Sequence, residues 1–136
     1  MSSSTTIIMT TKISYAIAFI TGLGMIFIGA RFLLSPEVAE AGYGIHFNEH
    51  GDYSWHYIKG TRDVFSGLVI SVFVLMNQRR ALGVTLLAGT IIPVTDMLIV
   101  ISKNYNGILQ AIPHIIAIII CAVVGITLFI GNYPPK

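Results

Sequence analysis

Charged residues and cysteine are both scarce in this 136-residue chain. Lys and Arg number 8, Asp and Glu number 6, and together they make up 10% of the sequence. An average soluble domain has roughly 25% charged residues, so a water-soluble globular protein is excluded. The net charge of +2 is too small and too scattered for a nucleic-acid footprint. With Cys121 alone, the chain can form no intramolecular disulfide, no dithiol redox pair and no zinc site built from thiolates.

Hydrophobic residues make up 54% of the chain, and four apolar stretches are each long enough to cross a bilayer, which takes about 20 residues. They cover residues 13–34, 58–76, 81–102 and 108–130. Backbone in a bilayer must satisfy its own hydrogen bonds, so runs that lack the alternation of barrel strands are helical. The sequence therefore predicts an all-α fold, a single domain over residues 1–136 that forms a four-helix transmembrane bundle. It also predicts a multi-pass integral membrane protein of a cell or inner membrane.

A cleaved signal peptide is the alternative for the first stretch, because Ala39 and Ala41 stand in a small-x-small arrangement after the apolar run. The run is longer than the roughly 7 to 15 apolar residues of a signal peptide, and it contains Arg31. A retained span is therefore favoured.

The charges of the connections predict the orientation of the bundle. Arg79 and Arg80 lie between the second and third stretches, whereas the connection over residues 35–57 has four acidic residues and no Lys or Arg. Short loops rich in Lys and Arg stay in the cytoplasm. Lys103, in the third connection, argues the other way with a single charge. We therefore expect both termini on the cytoplasmic side.

Polar residues within the stretches fall toward the outer third of the predicted bundle. Asp96 lies about 22 Å along a helix of roughly 32 Å, and His114 lies about 9 Å into the fourth helix. The other side chains at this depth are Arg31, Lys59, Arg62 and Asp63. On the third helix Asp96 shares a face with Thr85, Gly89 and Ile92, and Pro93 removes a backbone hydrogen bond to the Gly89 carbonyl.

An ionisable residue inside a membrane indicates function by default, because insertion of an unpaired carboxylate costs about 2.5 to 3.5 kcal/mol. Arg62 or Arg31 is the expected partner of Asp96. The structural alternative is an ion-pair network that only fixes the register of the helices. The cations can also extend to the lipid headgroups, an alternative that is strongest for Lys59, which is nearest to the interface.

The first connection contains a formal zinc-peptidase motif, H-x-x-E-H, from His46 to His50. That motif needs a helix to bring both histidines to one face, and Gly42, Gly44 and Gly51 bracket it with turn signals. We therefore expect no metal site here. His56 lies in an aromatic belt and is expected to rim the pocket, while Cys121 is expected to be a packing residue.

Two segments carry a resemblance to a known family. The run GARFLL at 29–34, followed by Pro36, and the run KGTRD at 59–63 resemble a family of small bacterial and fungal integral membrane proteins that is defined as a domain of unknown function. The layout is similar to that of the DoxX-like four-helix proteins. The resemblance implies a four-helix bundle and, for DoxX-like relatives, an association with quinone or sulfur redox chemistry.

The leading hypothesis is a small membrane enzyme that uses cofactor-independent acid–base chemistry, of an isomerase, cyclase or hydrolase type, on a lipophilic metabolite. Asp63 or Asp96 is the proton donor or base, with His114 as its partner. Substrate-binding residues are Arg31, His56, Lys59 and Arg62. Membrane lipids and a lipophilic small molecule are the expected partners, and a homodimer stays open.

Two other classes of function remain. The first is a small proton-coupled exporter, in which Asp96 and His114 titrate and two chains pair through their glycine faces. The second is a protein that binds lipids or quinones or assists assembly. Transporters usually place coupling ions near the midplane between repeats, whereas this cluster is off-centre, which favours the enzyme.

Overall fold

The computed structural model describes residues 3–46 and 51–131, and the described chain is helical throughout, apart from its short connections. Its segments are α1 (Ser3–Leu34), α2 (Pro36–Tyr43), α3 (Ser54–Leu75), α4 (Arg79–Gly89), α5 (Ile91–Ile101) and α6 (Ile108–Ile130). Thr90 separates α4 from α5 but keeps helical angles, with φ −60° and ψ −24°. The two segments are therefore halves of one interrupted helix, and the part of the chain described here contains five helices.

The interruption at Thr90 has a local cause. Pro93 has no N–H group to donate to the carbonyl of Gly89, and the Thr90 hydroxyl bonds back to the Leu86 carbonyl at 2.9 Å. The break was expected from the proline. It leaves the Gly89 carbonyl without its helical partner.

The predicted helices are found, with shifts at their ends. Helix α6 covers the residues expected for the fourth stretch, and α3 begins four residues before the expected start at 58. Helix α1 begins at Ser3, well before the apolar stretch, because a helix can continue through the polar Ser and Thr residues outside a span.

Sequence reasoning missed α2. Proline at its first position fixes φ for a helical start, and Gly44 ends it with φ +89°. With only eight residues and two glutamates, α2 has no apolar periodicity that would have revealed it.

The apolar surface and helix lengths indicate a membrane protein. Within the described residues, three helical stretches are long and apolar enough to cross a bilayer: Ile8–Leu34, Arg79–Ile101 and Ile108–Ile130. Large hydrophobic side chains are exposed on every long helix. Examples are Ile20, Phe27, Leu75, Ile91, Ile116 and Ile130. A surface of this kind is stable against lipid and not against water.

Helices α1 and α3 pack antiparallel through two pairs of glycines. Gly22 meets Gly67, and Gly29 meets Gly60, so the contacts are spaced seven residues apart on both helices. A Cβ atom built on Gly29 would lie 2.5 Å from the Gly60 carbonyl oxygen and 2.7 Å from the Val64 nitrogen. The two backbones therefore touch, and small residues are what permits this approach.

Helices α4 and α6 form a second close pair. A Cβ atom built on Gly83 would lie 2.9 Å from the Phe129 nitrogen and 3.1 Å from the Gly125 carbonyl oxygen. Buried apolar residues join the two pairs at the end of the bundle away from α2. This core consists of Ala18, Ile70, Leu82, Leu86, Val124 and Leu128. Toward α2 the two pairs enclose a cavity instead.

Candidate functional site

A cavity of about 430 Å³ lies between the α1/α3 pair and the α4–α5/α6 pair, beneath α2. Each long helix contributes one stripe at the spacing of three and four residues that defines a helix face. The stripes are Thr21, Met25, Ile28 and Phe32; Lys59, Asp63, Ser66 and Ile70; Thr85, Gly89, Ile92 and Asp96; and His114, Ala117 and Cys121. The face of the third helix that carries Thr85, Gly89, Ile92 and Asp96 therefore lines the cavity. The ionisable side chains gather at the end under α2, and the rest of the wall is mostly apolar.

Lys59 and Asp63 form a buried ion pair in the cavity wall. The Lys59 Nζ lies 2.7 Å from Asp63 Oδ2, and the two residues are 4% and 3% exposed. The ammonium also lies 4.6 Å from the ring centroid of Tyr43 and 5.1 Å from that of Phe32. The alternative in which Lys59 extends to the headgroups is wrong, because a carboxylate and two ring faces hold the ammonium inside the bundle.

Asp96 lines the cavity, but its expected partner is not there. Within residues 3–46 and 51–131, neither Arg31 nor Arg62 lies within 4.0 Å of its carboxylate. Asp96 instead lines the same end of the cavity as Tyr43, at the end of α2, and interacts with its phenol. Burial raises the pKa of this phenol, and the charge and acceptor oxygens of Asp96 raise it further. Tyr43 therefore stays protonated at neutral pH and presents a hydrogen-bond donor to the cavity.

His114 completes the polar end from α6. It is 8% exposed, and its Nε2 lies 3.5 Å from the backbone carbonyl oxygen of Tyr43. The two rings stand edge to face, with centroids 5.1 Å apart. A carbonyl oxygen can only accept, so this contact favours the tautomer with the proton on Nε2 and leaves Nδ1 as the basic nitrogen.

The remaining predicted site residues fall in three different places. Arg31 lines the cavity at its edge, where its side chain is exposed. Arg62 is exposed and does not line the cavity, because its side chain lies on a different face of α3 from those of Lys59 and Asp63. His56 does not rim the pocket either. It is 1% exposed, and its Nε2 lies 2.9 Å from Glu40 Oε2.

Helix α2 forms the roof of the cavity and is held from the α3 side by side chains. His56 pairs with Glu40, and the Tyr53 hydroxyl donates to Glu37 at 2.5 Å. The rings of Phe32, Tyr43 and Trp55 pack in a triangle with centroid distances of 5.8 to 5.9 Å. The buried position of His56 follows from this cluster, which draws the start of α3 under α2.

Asn106 holds α2 from the other side. Its Nδ2 donates to the Gly44 carbonyl at 2.6 Å and to the Val100 carbonyl at 2.8 Å, which joins the end of α2 to the end of α5.

Sequence reasoning missed Tyr43, Glu40 and Asn106. Proline at 36 and glycine at 44 were the available signals, because they mark a short helix over the predicted pocket.

The zinc-peptidase motif receives no structural support. His46 lies outside any helix, and its backbone N–H donates to the Tyr105 hydroxyl at 3.2 Å. The other four positions of the motif, 47–50, lie outside the described residues. Elsewhere in the described chain, no group of three or more His, Cys, Asp or Glu side chains is arranged to hold a metal ion.

The fold and the cavity are those of a small helical membrane protein whose internal cavity has polar side chains at one end. A family model for a domain of unknown function (DUF4267) matches residues 22–128, and the chain belongs to this family. The matched region contains all the residues that line the cavity except Thr21. No curated protein and no solved structure matches the chain.

Proposed function

We propose that this protein is a small integral membrane enzyme that carries out cofactor-independent acid–base chemistry on a neutral lipophilic molecule. One observation carries the proposal: Asp96, His114 and Tyr43 converge at one end of an otherwise apolar cavity. An apolar pocket with a few convergent polar groups is the usual form of a small-molecule site. Groups that can accept and return a proton within one pocket are what acid–base catalysis needs.

The contacts of each side chain support the division of roles. Asp63 is held by the Lys59 ammonium, so Asp96 is the better placed base. His114, on α6, lines the same cavity and is proposed as its partner. Arg31, at the edge of the cavity, orients the polar end of the substrate as it enters. Arg62, which the sequence also suggested, has no contact with the cavity and no role in this proposal.

The charge balance of the cavity supports a neutral substrate. The lining carries two positive groups, Arg31 and Lys59, and two negative groups, Asp63 and Asp96, so their formal charges cancel. A charged ligand would leave an uncompensated charge in an apolar cavity, which is costly. The polar end of the substrate is therefore a carbonyl or a hydroxyl, and its apolar part lies along the stripes of Met25, Ile28 and Ile92.

Competition for a fluorescent probe tests this class of ligand. The neutral ketone Prodan is titrated into lipid nanodiscs containing the protein, with empty nanodiscs as the partition control. We expect decanol, 2-decanone and a decyl-substituted quinone to displace the bound probe. Decyl sulfate and decyltrimethylammonium carry fixed charges and are expected not to displace it. Stronger displacement by either charged compound would contradict a neutral site.

The position of α3 supports a fourth span. Its 22 residues extend about 33 Å, enough to cross the hydrocarbon core. Its two long faces differ: Lys59, Asp63, Gly67 and Ile70 are buried, whereas Phe65, Leu68, Val72 and Leu75 are exposed. Lys59 and Asp63 are thus kept from lipid, while the exposed Arg62, in the third turn of α3, can extend to the headgroups. We infer a four-helix transmembrane bundle with both termini in the cytoplasm.

Reporter fusions test this topology. Fusions at Ser4, Gln78 and Lys136 should report the cytoplasm, and a fusion at Asn48 should report the opposite side, because Arg79 and Arg80 form the strongest positive-inside signal. If α3 does not span, Asn48 and Gln78 will report the same side, which would contradict the four-span bundle.

A proton-coupled exporter is the second candidate, and one observation favours it. The glycine contacts lie within each helix pair, while the cavity lies between the pairs, so the pairs can move apart without breaking those contacts. Gly22 and Gly29 pack against α3 within the chain, so a homodimer needs another surface.

Transport in proteoliposomes separates the two candidates. An exporter should move Prodan along a pH gradient and lose this movement in His114→Ala. An enzyme should show no gradient dependence, and its His114→Ala variant should keep binding and lose turnover.

A further inference from the structure

Tyr43 interacts with three of the ionisable side chains at the polar end of the cavity. Its phenol lies close to Asp96, its carbonyl oxygen lies 3.5 Å from His114 Nε2, and its ring lies 4.6 Å from Lys59 Nζ. The residue is fixed in turn by the next residue, Gly44, whose carbonyl accepts a hydrogen bond from Asn106.

The side chains at this end favour proton transfer over covalent catalysis. Lys59 is a poor nucleophile, because its ammonium is paired with Asp63 and covered by two rings. Cys121 is two helical turns beyond His114, about 10 Å along α6. What remains at this end is the Asp96 carboxylate, the His114 imidazole and the Tyr43 phenol O–H, three groups that can take or give a proton. A base and a donor that line the same end of one cavity can engage neighbouring atoms of the same substrate.

We propose that the substrate is an enolisable ketone, and that the reaction is a 1,3-proton shift next to its carbonyl group, with Asp96 as the base and Tyr43 as the donor to the carbonyl oxygen. This inference rests on the proposed function and names its substrate class and a further catalytic residue. A carbonyl oxygen that accepts from a phenol, beside a carboxylate that takes the neighbouring proton, is a known solution for stabilising an enolate.

The step balances without any other reactant. The Asp96 carboxylate takes a proton from the carbon next to the carbonyl, and the C–H electron pair forms a carbon–carbon double bond. The carbonyl π electrons move to the oxygen, which the Tyr43 O–H stabilises. In a β,γ-unsaturated ketone, the proton held on Asp96 then returns to the γ carbon, and the carbonyl reforms in a conjugated ketone. No atom is gained or lost, and Asp96 ends as a carboxylate.

The test uses 4-decen-2-one, a lipophilic β,γ-unsaturated ketone, deuterated at its α carbon C3, with protein in nanodiscs in ordinary water. We expect conversion to 3-decen-2-one, with deuterium transferred to the γ carbon, detected by ultraviolet absorbance and mass spectrometry. Asp96→Asn should reduce the rate to that of empty nanodiscs. Tyr43→Phe should lower kcat by about 10²- to 10³-fold with little change in KM, as for loss of one donor to a developing oxyanion. Tyr57→Phe, on an exposed tyrosine away from the cavity, should match the wild type.

The outcomes separate the two levels of the proposal. If the ketone displaces Prodan but is not isomerised, the proton shift is overturned and the neutral ligand site stands. If no neutral compound displaces Prodan, the proposed function itself fails. A Tyr43→Phe variant that folds, binds the ketone and turns over at the wild-type rate would overturn the role of Tyr43. Thermal unfolding of each variant shows whether a lost rate reflects a lost fold.

Discussion

Asp63→Asn is expected to destabilise the protein strongly, by about 3 to 5 kcal/mol, because it leaves the Lys59 ammonium buried without its counter-charge. The ion pair has an Nζ to Oδ2 distance of 2.7 Å, and both side chains are almost fully buried. The rings of Phe32 and Tyr43 can compensate only part of the charge, since a cation–π contact contributes about 0.5 to 2 kcal/mol. Thermal unfolding in detergent, followed by loss of helical circular dichroism, measures the effect.

Two matched variants show whether pairing is the cause. Replacing both partners, as Lys59→Met with Asp63→Leu, should recover most of the lost stability, because an apolar pair of similar volume leaves no unpaired charge. Arg62→Gln removes a charge from the same helix at an exposed position outside the cavity, and it should have little effect. If Asp63→Asn and Arg62→Gln unfold at the same temperature as the wild type, Lys59 does not depend on Asp63.

Gly29→Ala is expected to loosen the α1/α3 pair, although alanine is the better helix former. The added methyl group would lie 2.5 Å from the Gly60 carbonyl oxygen and 2.7 Å from the Val64 nitrogen, and both are backbone atoms that cannot rotate away. Overpacking of this kind costs about 1 to 3 kcal/mol, and a contact with backbone falls at the upper end. The lost stability should appear in the same unfolding assay.

Gly24→Ala is the control, because it makes the same change five residues earlier on the same helix. A Cβ atom built at Gly24 meets no atom of another helix within 4 Å. The variant should be as stable as the wild type or slightly more so. Equal unfolding temperatures for Gly24→Ala and Gly29→Ala would contradict the glycine-to-glycine packing of α1 on α3.

The long helices could be predicted from the sequence, because their apolar runs have the length that a membrane demands. Residues 108–130 form α6 as expected, and Pro93 marks the interruption next to Thr90. Short α2 could not be predicted in this way. Its stability comes from the contacts of Glu37 and Glu40 with the start of α3, and contacts between distant residues leave no periodic pattern.

Depth and helix phase predicted which residues meet at the candidate site, but they did not predict which charges pair there. Depth brought Lys59, Asp63, Asp96 and His114 to one end of the bundle, and all four line the cavity. The pairing of charges depends on the rotation of each helix about its axis, which spacing along one helix does not give. Asp63 therefore pairs with Lys59, whereas Asp96 lies near Tyr43, which depth and phase did not place at the site.

A substitution that fills the cavity tests the central claim, that a neutral lipophilic ligand binds between the two helix pairs. Gly89 lines the cavity and Gly24 does not, and a Cβ atom built on either has open space within 4 Å. Gly89→Phe and Gly24→Phe therefore add the same side chain inside and outside the site. Titration of Prodan in nanodiscs should show binding to the wild type and to Gly24→Phe, and none above empty nanodiscs for Gly89→Phe. Equal binding by the two variants, each with unchanged thermal stability, would contradict the cavity as the ligand site.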